Sequence, residues 1–287
     1  MKSIDTLVKD IYDLFDPLVD VNLDEKEVDT QLDSFTKSLK ETLKTFLNEV
    51  PTDRRNLRLS AIGKPARQLW YGKNSKEKPQ PLEPSTRVKF LYGHMLEDLL
   101  ILFSRLAGHT VTDMQKTVYV SGIKGHQDCV IDGVLVDVKS ASASGFKKFE
   151  ENTIHKDDPF GYIAQISAYA EANNVDEAAF LAIDKSSGKI CLTPIHSLGM
   201  INAKERIDYL KGAMEQDTPP DRCYSDAVDG ASGNRKLAFG CFYCEHKRTC
   251  WSDSNEGKGL RVFKYANGNR YLTQVGKTPN VEEVTDW

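Results

Sequence analysis

Apolar residues recur at helical spacing through the first 49 positions: Ile4, Leu7, Val8, Ile11, Leu14 and Phe15, then Leu32, Phe35, Leu39, Leu43 and Phe46. That spacing predicts amphipathic helices. Asp16-Pro17 and the acidic run from Asp20 to Asp29 interrupt it, so two or more helices are expected, as a packing or oligomerising arm. Further on, Ser60 is placed to cap a short helix carrying Arg67, Trp70 and Tyr71. Gly72 to Ser85 is polar and proline-rich and predicts a loop. Thr86 to Leu106 is rich in Leu, Phe, Val and Met and predicts a long helix that stops at Gly108.

Beyond that glycine the period changes. Met114 to Val120 reads as a strand leading into Gly125–Ser140, where two apolar runs meet at Asp132-Gly133. An Asp-Gly pair between such runs predicts a two-residue hairpin turn, because glycine takes the positive φ the turn needs. Along the second run Val134, Val136 and Val138 point to one face and Leu135, Asp137 and Lys139 to the other. Ser140 to Asp158 reads as a polar loop, with Lys147 and Lys148 between Phe146 and Phe149. Pro159 to Glu171 predicts a helix that sets Gln165 and Tyr169 one turn apart. Strands are expected at Ala178–Asp184 and Lys189–Pro194, then a helix from Ser197 to Met214. A last hairpin is expected over Val262–Val275 around Asn267-Gly268, before a loose acidic tail from Pro279 to Trp287.

Composition changes this picture in three places. At 287 residues the chain holds one large domain or two small ones. No apolar run is long enough to span a bilayer, and the start Met-Lys-Ser-Ile-Asp lacks a signal-peptide core, so a cytoplasmic protein without membrane contact is expected. The net charge of −4 gives no bulk affinity for nucleic acid, which leaves local basic patches as the route to it; Arg54, Arg55, Arg58, Lys64 and Arg67 form the densest patch of the first third. Four of the six cysteines, Cys223, Cys241, Cys244 and Cys250, crowd towards the C-terminus, the last three as C-x2-C-x5-C. In a reducing compartment that spacing suggests zinc or an iron–sulfur cluster ahead of disulfides.

The candidate chemistry sits on the central hairpin. Asp137 and Lys139 place two charges on one side of an otherwise apolar strand, and Asp128 lies across the same turn. Burying charge is costly unless it is paired or binds a metal. Two carboxylates and an ammonium at one point suit a hard divalent cation beside a phosphate. Taken alone, these residues are equally consistent with a surface hairpin carrying an ordinary salt bridge. Within the long helix, His94 and Glu97 share a face, and an acid on a mostly apolar helix lies at its edge, is paired, or is a ligand.

The ordered set Gly93-x3-Glu97 on a helix, Asp128 in a first strand, Asp137-x-Lys139 in the next, and Gln165-x3-Tyr169 on a helix resembles the PD-(D/E)XK nuclease superfamily. Within it, the match is to the RecB-like branch that also contains the lambda-type exonucleases, over about residues 57 to 251. The resemblance implies an α/β, restriction-endonuclease-like core, a central mixed β-sheet flanked by helices. It implies a division into a helical N-terminal region (1–56), the nuclease core (57–215), a cysteine segment (216–255) and a C-terminal hairpin and tail (256–287). Glu97, Asp128, Asp137 and the carbonyl of Val138 would hold Mg²⁺ or Mn²⁺. Lys139 would orient the attacking water and stabilise charge on the phosphate, with Gln165 and Tyr169 as positioning groups. Arg67, His94 and Lys148 would contact DNA, and His126 would line the groove. In RecB-like nucleases with an iron–sulfur cluster a first cysteine lies upstream, where this chain has Pro65; Cys223 would have to complete the set with Cys241, Cys244 and Cys250. A structural 4Fe-4S cluster is expected, with Zn²⁺ as the alternative. The function implied is a Mg²⁺-dependent exonuclease acting on DNA ends in recombination, repair or replication, in the host cytoplasm if the source is viral. A structure-selective endonuclease of the same superfamily and an inactive metal-bearing DNA-binding module remain open, as does a homo-oligomer.

Overall fold

A computed structural model of the chain describes residues 2–48, 55–76, 84–266, 268–285 and 287. Arg54 of the basic patch and Asn267 of the last turn lie outside the described residues. In chain order the first elements are α1 (Leu7–Asp13), α2 (Glu25–Leu47), α3 (Ala66–Asn74) and α4 (Pro84–Leu106). There follow β1 (Val111–Thr112), β2 (Thr117–Val120), β3 (Ile123–His126), β4 (Cys129–Ile131) and β5 (Val134–Ala141). Next come α5 (Ala143–Glu150), α6 (Tyr162–Asn173), β6 (Glu177–Asp184), β7 (Ile190–His196) and α7 (Ala203–Met214). The remainder holds β8 (Ala227–Val228), β9 (Arg235–Lys236), α8 (Phe239–Phe242), α9 (Lys247–Cys250), α10 (Ser254–Gly257), β10 (Arg261–Tyr265), β11 (Gly268–Gln274) and β12 (Glu283–Val284). Two compact units form, one from residues 1–63 and 83–208, the other from 64–82 and 209–287.

The first unit is the expected mixed sheet flanked by helices. Its strand order is β1-β4-β5-β6-β7, with β5 and β6 parallel and the other neighbours antiparallel. The parallel step needs a crossover, and α5 and α6 supply it. Val134, Val136 and Val138 pack with Leu7 and Ile11 of α1, Leu100 of α4 and Leu181 of β6, so the valine face of β5 is the core face expected from its alternation. The β4–β5 turn falls at Asp132 and Gly133, with φ of 49° and 88°, the left-handed pair of a tight hairpin. On α6 Tyr162 lies 6.0 Å from Phe149 of α5, which in turn meets Phe180 of β6 edge-on at 5.3 Å. Among the described residues, β2 and β3 pair only with each other.

Several local expectations are corrected. Ser140–Asp158 is not all loop: Ser142 caps α5 by accepting from Gly145 N at 3.3 Å, and Phe146 and Phe149 bury one helix face. Ser60 does not cap α3; it lies in a short 3₁₀ turn at Leu59–Ala61, and α3 starts only after Pro65, whose fixed φ suits a helix entry. The predicted loop from Gly72 is helical to Asn74, and α4 begins at Pro84. Asp128 precedes β4 rather than lying inside it. The tail is not loose, since Glu283 and Val284 pair with Phe263 and Val262 of β10.

The second unit is built on an antiparallel sheet of order β12-β10-β11-β9-β8. The expected hairpin is its centre, as β10–β11. Its small core gathers Leu237, Trp251 and Leu260, with Tyr271 and Trp287 packed against them. Among the described residues, no helix is long and apolar enough to cross a membrane.

Candidate active site

Cross-strand register brings the central acids together. Cys129 pairs with Val136, so continuing the ladder by one residue sets Asp128 opposite Asp137. The Asp128 side chain leans across the pair, and its Oδ2 accepts from the backbone N–H of Val138 at 2.8 Å. The Asp137 carboxyl is 1% exposed, and neither oxygen has a well-formed hydrogen bond. What it has is charge, because the Lys139 ammonium rests against its Oδ2. The same ammonium stands 5.0 Å from the centre of the Tyr162 ring, which carries it from the α6 side.

Glu97 on α4 joins this group. Its Oε1 accepts from Gln115 Nε2 at 2.9 Å, while its Oε2 lies 3.9 Å from His94 Nδ1. Gln115 is a strap, because its backbone N–H also donates to the Asp128 carbonyl at 3.0 Å. It holds this double position at a φ of 50°, a conformation most side chains avoid.

The electrostatics follow from crowding acids out of water. Burial, then the Asp128 and Asp137 charges, push the Glu97 carboxyl up to about 9. Burial and Asp137 push Asp128 up to about 7, against the opposing pull of Lys139 and the Val138 N–H. Burial raises Asp137 as well, with Lys139 opposing it. For Lys139 burial acts to lower the value, but Asp137 and Asp128 outweigh it and hold the ammonium above its usual range. The group thus lacks positive charge for its number of acids, and protons fill the deficit.

Among the described residues, no three His, Cys, Asp or Glu side chains stand as a ready-made metal cage. The donor set nonetheless fits a hard divalent cation. The Asp128 and Asp137 charges raise Glu97, Asp137 raises Asp128, and the buried Asp137 carboxyl has the Lys139 ammonium against it.

Around this group the other expected residues are placed unevenly. Gln165 Nε2 donates to the Tyr169 hydroxyl at 3.3 Å, and burial pushes that phenol up to about 12. His126 is exposed and its Nδ1 lies 3.3 Å from Thr117 Oγ1. Lys148 is tied to Asp157, with Nζ 2.5 Å from Oδ2, and is not a free phosphate contact. Arg67 is turned to the cysteines, donating from Nε to Cys250 Sγ at 3.1 Å and from an Nη to the Tyr71 hydroxyl at 3.3 Å. Gln115 and Tyr162 were not singled out by sequence. Tyr162 had a signal, one helical turn before Gln165; Gln115 had none.

In the second unit Cys223, Cys241, Cys244 and Cys250 line one cavity with Arg67 and Trp251. Burial pushes Cys241 and Cys244 up to about 11 and raises Cys223 too. The four sulfurs share the cavity without a metal-ready geometry, and Arg67 lies on one of them. Soft thiolates remain the right donor type for zinc or an iron–sulfur cluster.

No known protein family and no curated protein sequence matches the chain. Solved structures similar to it include SSO0001, at 17% identity and a TM-score of 0.40, over 64% of this chain and 87% of that one. A phage-related exonuclease from Haemophilus somnus overlaps at 16% identity and a TM-score of 0.38, over 54% of this chain and 88% of that one. An alkaline exonuclease from Laribacter hongkongensis overlaps at 14% and 0.37, over 57% and 91%. Two of these three are exonucleases. Overlap at this level leaves the chemistry to be read from the chain's own residues.

Proposed function

We propose that the chain is a divalent-metal-dependent deoxyribonuclease, acting as an exonuclease on DNA ends. The reading is supported by the ladder register that sets Asp128 opposite the buried Asp137 beside the Lys139 ammonium, with Glu97 near enough for both aspartate charges to raise its pKa. Such a group is costly to fold and is explained by a cation that folding alone does not require.

Glu97, Asp128 and Asp137, with the carbonyl of Val138, would hold Mg²⁺ or Mn²⁺. A cation bound there polarises the phosphodiester and makes water a competent nucleophile near neutral pH. Lys139 is held as a cation by Asp137 and Asp128, so its role is to orient water and neutralise charge growing on the phosphate, not to abstract a proton. Tyr162 fixes the ammonium's position from behind, and Gln165 with Tyr169 orients the scissile strand. The cysteine cavity is proposed as a structural 4Fe-4S or Zn²⁺ site, because four thiols line it. A brown colour on anaerobic purification favours the cluster, and a colourless protein with bound zinc favours the metal.

Digestion of end-labelled linear DNA with Mg²⁺, wild type against Lys139→Ala, tests the reading. Hydrolysis that requires both Mg²⁺ and Lys139 supports it, and equal hydrolysis by both proteins overturns it. A circular substrate in parallel separates an exonuclease, which leaves it intact, from an endonuclease.

A further inference from the structure

The segment that brings two thiols to the cavity shows a different set of residues to water. Cys241 and Cys244 line the cavity, whereas Phe239, Tyr243 and Phe242 are 63%, 45% and 36% exposed. Grouped exposed rings are surface that water opposes, and they mark contact sites. Here the rings form a run. Phe239 meets Tyr243 with centres 6.0 Å apart, Tyr243 meets Phe242 at 5.0 Å, and Phe242 meets Tyr271 at 5.6 Å, each edge to face. Cations border the run: Lys247 Nζ stands 4.8 Å from the Tyr271 ring centre and donates to the Phe242 carbonyl at 3.2 Å, and Arg248 lies over the ring of Trp287, itself 5.2 Å from Tyr271, and donates to the Trp287 carbonyl at 3.1 Å.

Charge points the same way. Residues 64–82 and 209–287 carry 16 Lys and Arg against 12 Asp and Glu, whereas the rest of the chain carries 22 against 30. The acidic balance of the whole chain therefore hides a basic second unit. Rings interleaved with cations fit a strand whose bases stack and whose phosphates are anionic.

We propose that this face of the second unit binds single-stranded DNA, with bases stacked on Phe239 and Tyr243 and phosphates met by Lys247 and Arg248. The inference rests on DNA being the substrate. It adds a strand-holding surface that recognises unpaired bases without reading their sequence.

The test is fluorescence anisotropy of a labelled oligothymidylate with the full chain as purified, in chelator-free buffer without Mg²⁺ or Mn²⁺, which withholds the metal that hydrolysis needs and leaves the cysteine site intact. An abasic oligomer of the same length is the second probe, and the proteins are wild type, Phe239→Ala/Tyr243→Ala and Tyr243→Phe. Stacking on two rings predicts that the double variant binds the oligothymidylate about ten- to a hundredfold more weakly. It also predicts that wild type prefers the oligothymidylate to the abasic probe, that the double variant loses this preference, and that Tyr243→Phe keeps it. Removing Lys247 is expected to weaken both probes equally and to flatten the salt dependence. Equal affinity of the double variant and wild type overturns the proposal, as does a preference for bases that survives in the double variant. So does a dimer in wild type that the double variant disperses, since a second copy is then the occupant. If wild type binds neither probe and hydrolyses no DNA, the nuclease reading fails. If wild type hydrolyses DNA in a Lys139-dependent way while the ring substitutions change no affinity, only the platform falls.

Discussion

Asp128 Oδ2 holds the backbone N–H of Val138 at 2.8 Å, although the ladder register sets Asp128 opposite Asp137. The hydrogen bond turns the carboxylate along the strand and keeps the two acids side by side. Asparagine at 128 retains an oxygen that can accept the same N–H, but it carries no charge. Asp128→Asn is therefore expected to fold normally and to melt at least as high as wild type in EDTA, because like-charge crowding is relieved. Its DNA hydrolysis is expected to fall about a thousandfold. Thermal melts and end-labelled digestion check the two halves. A variant that melts lower than wild type would mean that the carboxylate is structural.

The raised carboxyls give metal-free folding a pH dependence of definite sign. Glu97 moves from 4.5 to about 9 and Asp128 from 3.8 to about 7 on folding. Between the ordinary and the raised values the folded chain holds protons that the unfolded chain has released. Stability is therefore full at the acid end and is lost as pH rises through about 7 and then about 9. In EDTA the unfolding midpoint in urea is expected to drop between about pH 5.5 and about pH 9 from this group. Mg²⁺ is expected to reduce that drop, because a cation replaces the protons, and its binding is expected to release acid. A midpoint that rises with pH over this window, or a slope unchanged in Asp128→Asn, would refute the assignment.

What was legible in the sequence was what local rules determine. The Asp132-Gly133 turn, the valine face of β5 and the Gln165–Tyr169 spacing all follow from periods of two and 3.6 residues. The helix α5 was hidden because its polar composition masks the two phenylalanines on which it folds. Arg67 looked like a phosphate contact because no local rule says that Cys250, 183 residues on, takes its Nε–H. The grouping of residues 64–82 with the C-terminal unit is invisible for the same reason. Only a short-range pattern leaves a short-range trace.

Gln115 is the clearest case of a site residue without such a trace, and it makes a sharp prediction. It joins the Glu97 carboxylate to the Asp128 carbonyl from a left-handed backbone. Groups that orient metal ligands are typically worth about ten- to a hundredfold. Gln115→Ala is expected to lower hydrolysis by about that factor at limiting Mg²⁺, and to recover much of it at high Mg²⁺. Gln115→Gly, which relaxes the positive φ while removing the amide, is expected to lose activity in the same way but to melt higher than the alanine variant. A Mg²⁺ titration of hydrolysis together with melting curves tests both. Loss of activity that no Mg²⁺ concentration restores would place Gln115 on the substrate instead.

His109 makes the last prediction, and it concerns the scaffold behind the hairpin turn. Its side chain is wholly buried, with Nδ1 2.5 Å from Asp132 Oδ2 and Nε2 3.1 Å from Asp10 Oδ2. Asp132 also accepts from Thr110 N at 3.0 Å, and Asp10 is held by Lys2 at 2.9 Å. One imidazole thus ties α1 to the turn that sets the register of Asp128 and Asp137. His109→Ala leaves the Asp132 carboxyl, 1% exposed, without its ring partner. Leaving a buried polar group without its hydrogen-bond partner costs about 1–3 kcal/mol, so urea unfolding is expected to shift by that amount. His109→Gln, which keeps one donor towards Asp132, is expected to recover part of it. Because the ring touches none of the metal-facing acids, folded His109→Gln is expected to hydrolyse DNA within about tenfold of wild type. A larger loss in a variant whose melt shows it folded would mean that the turn moves, and that the register of the two aspartates depends on this histidine.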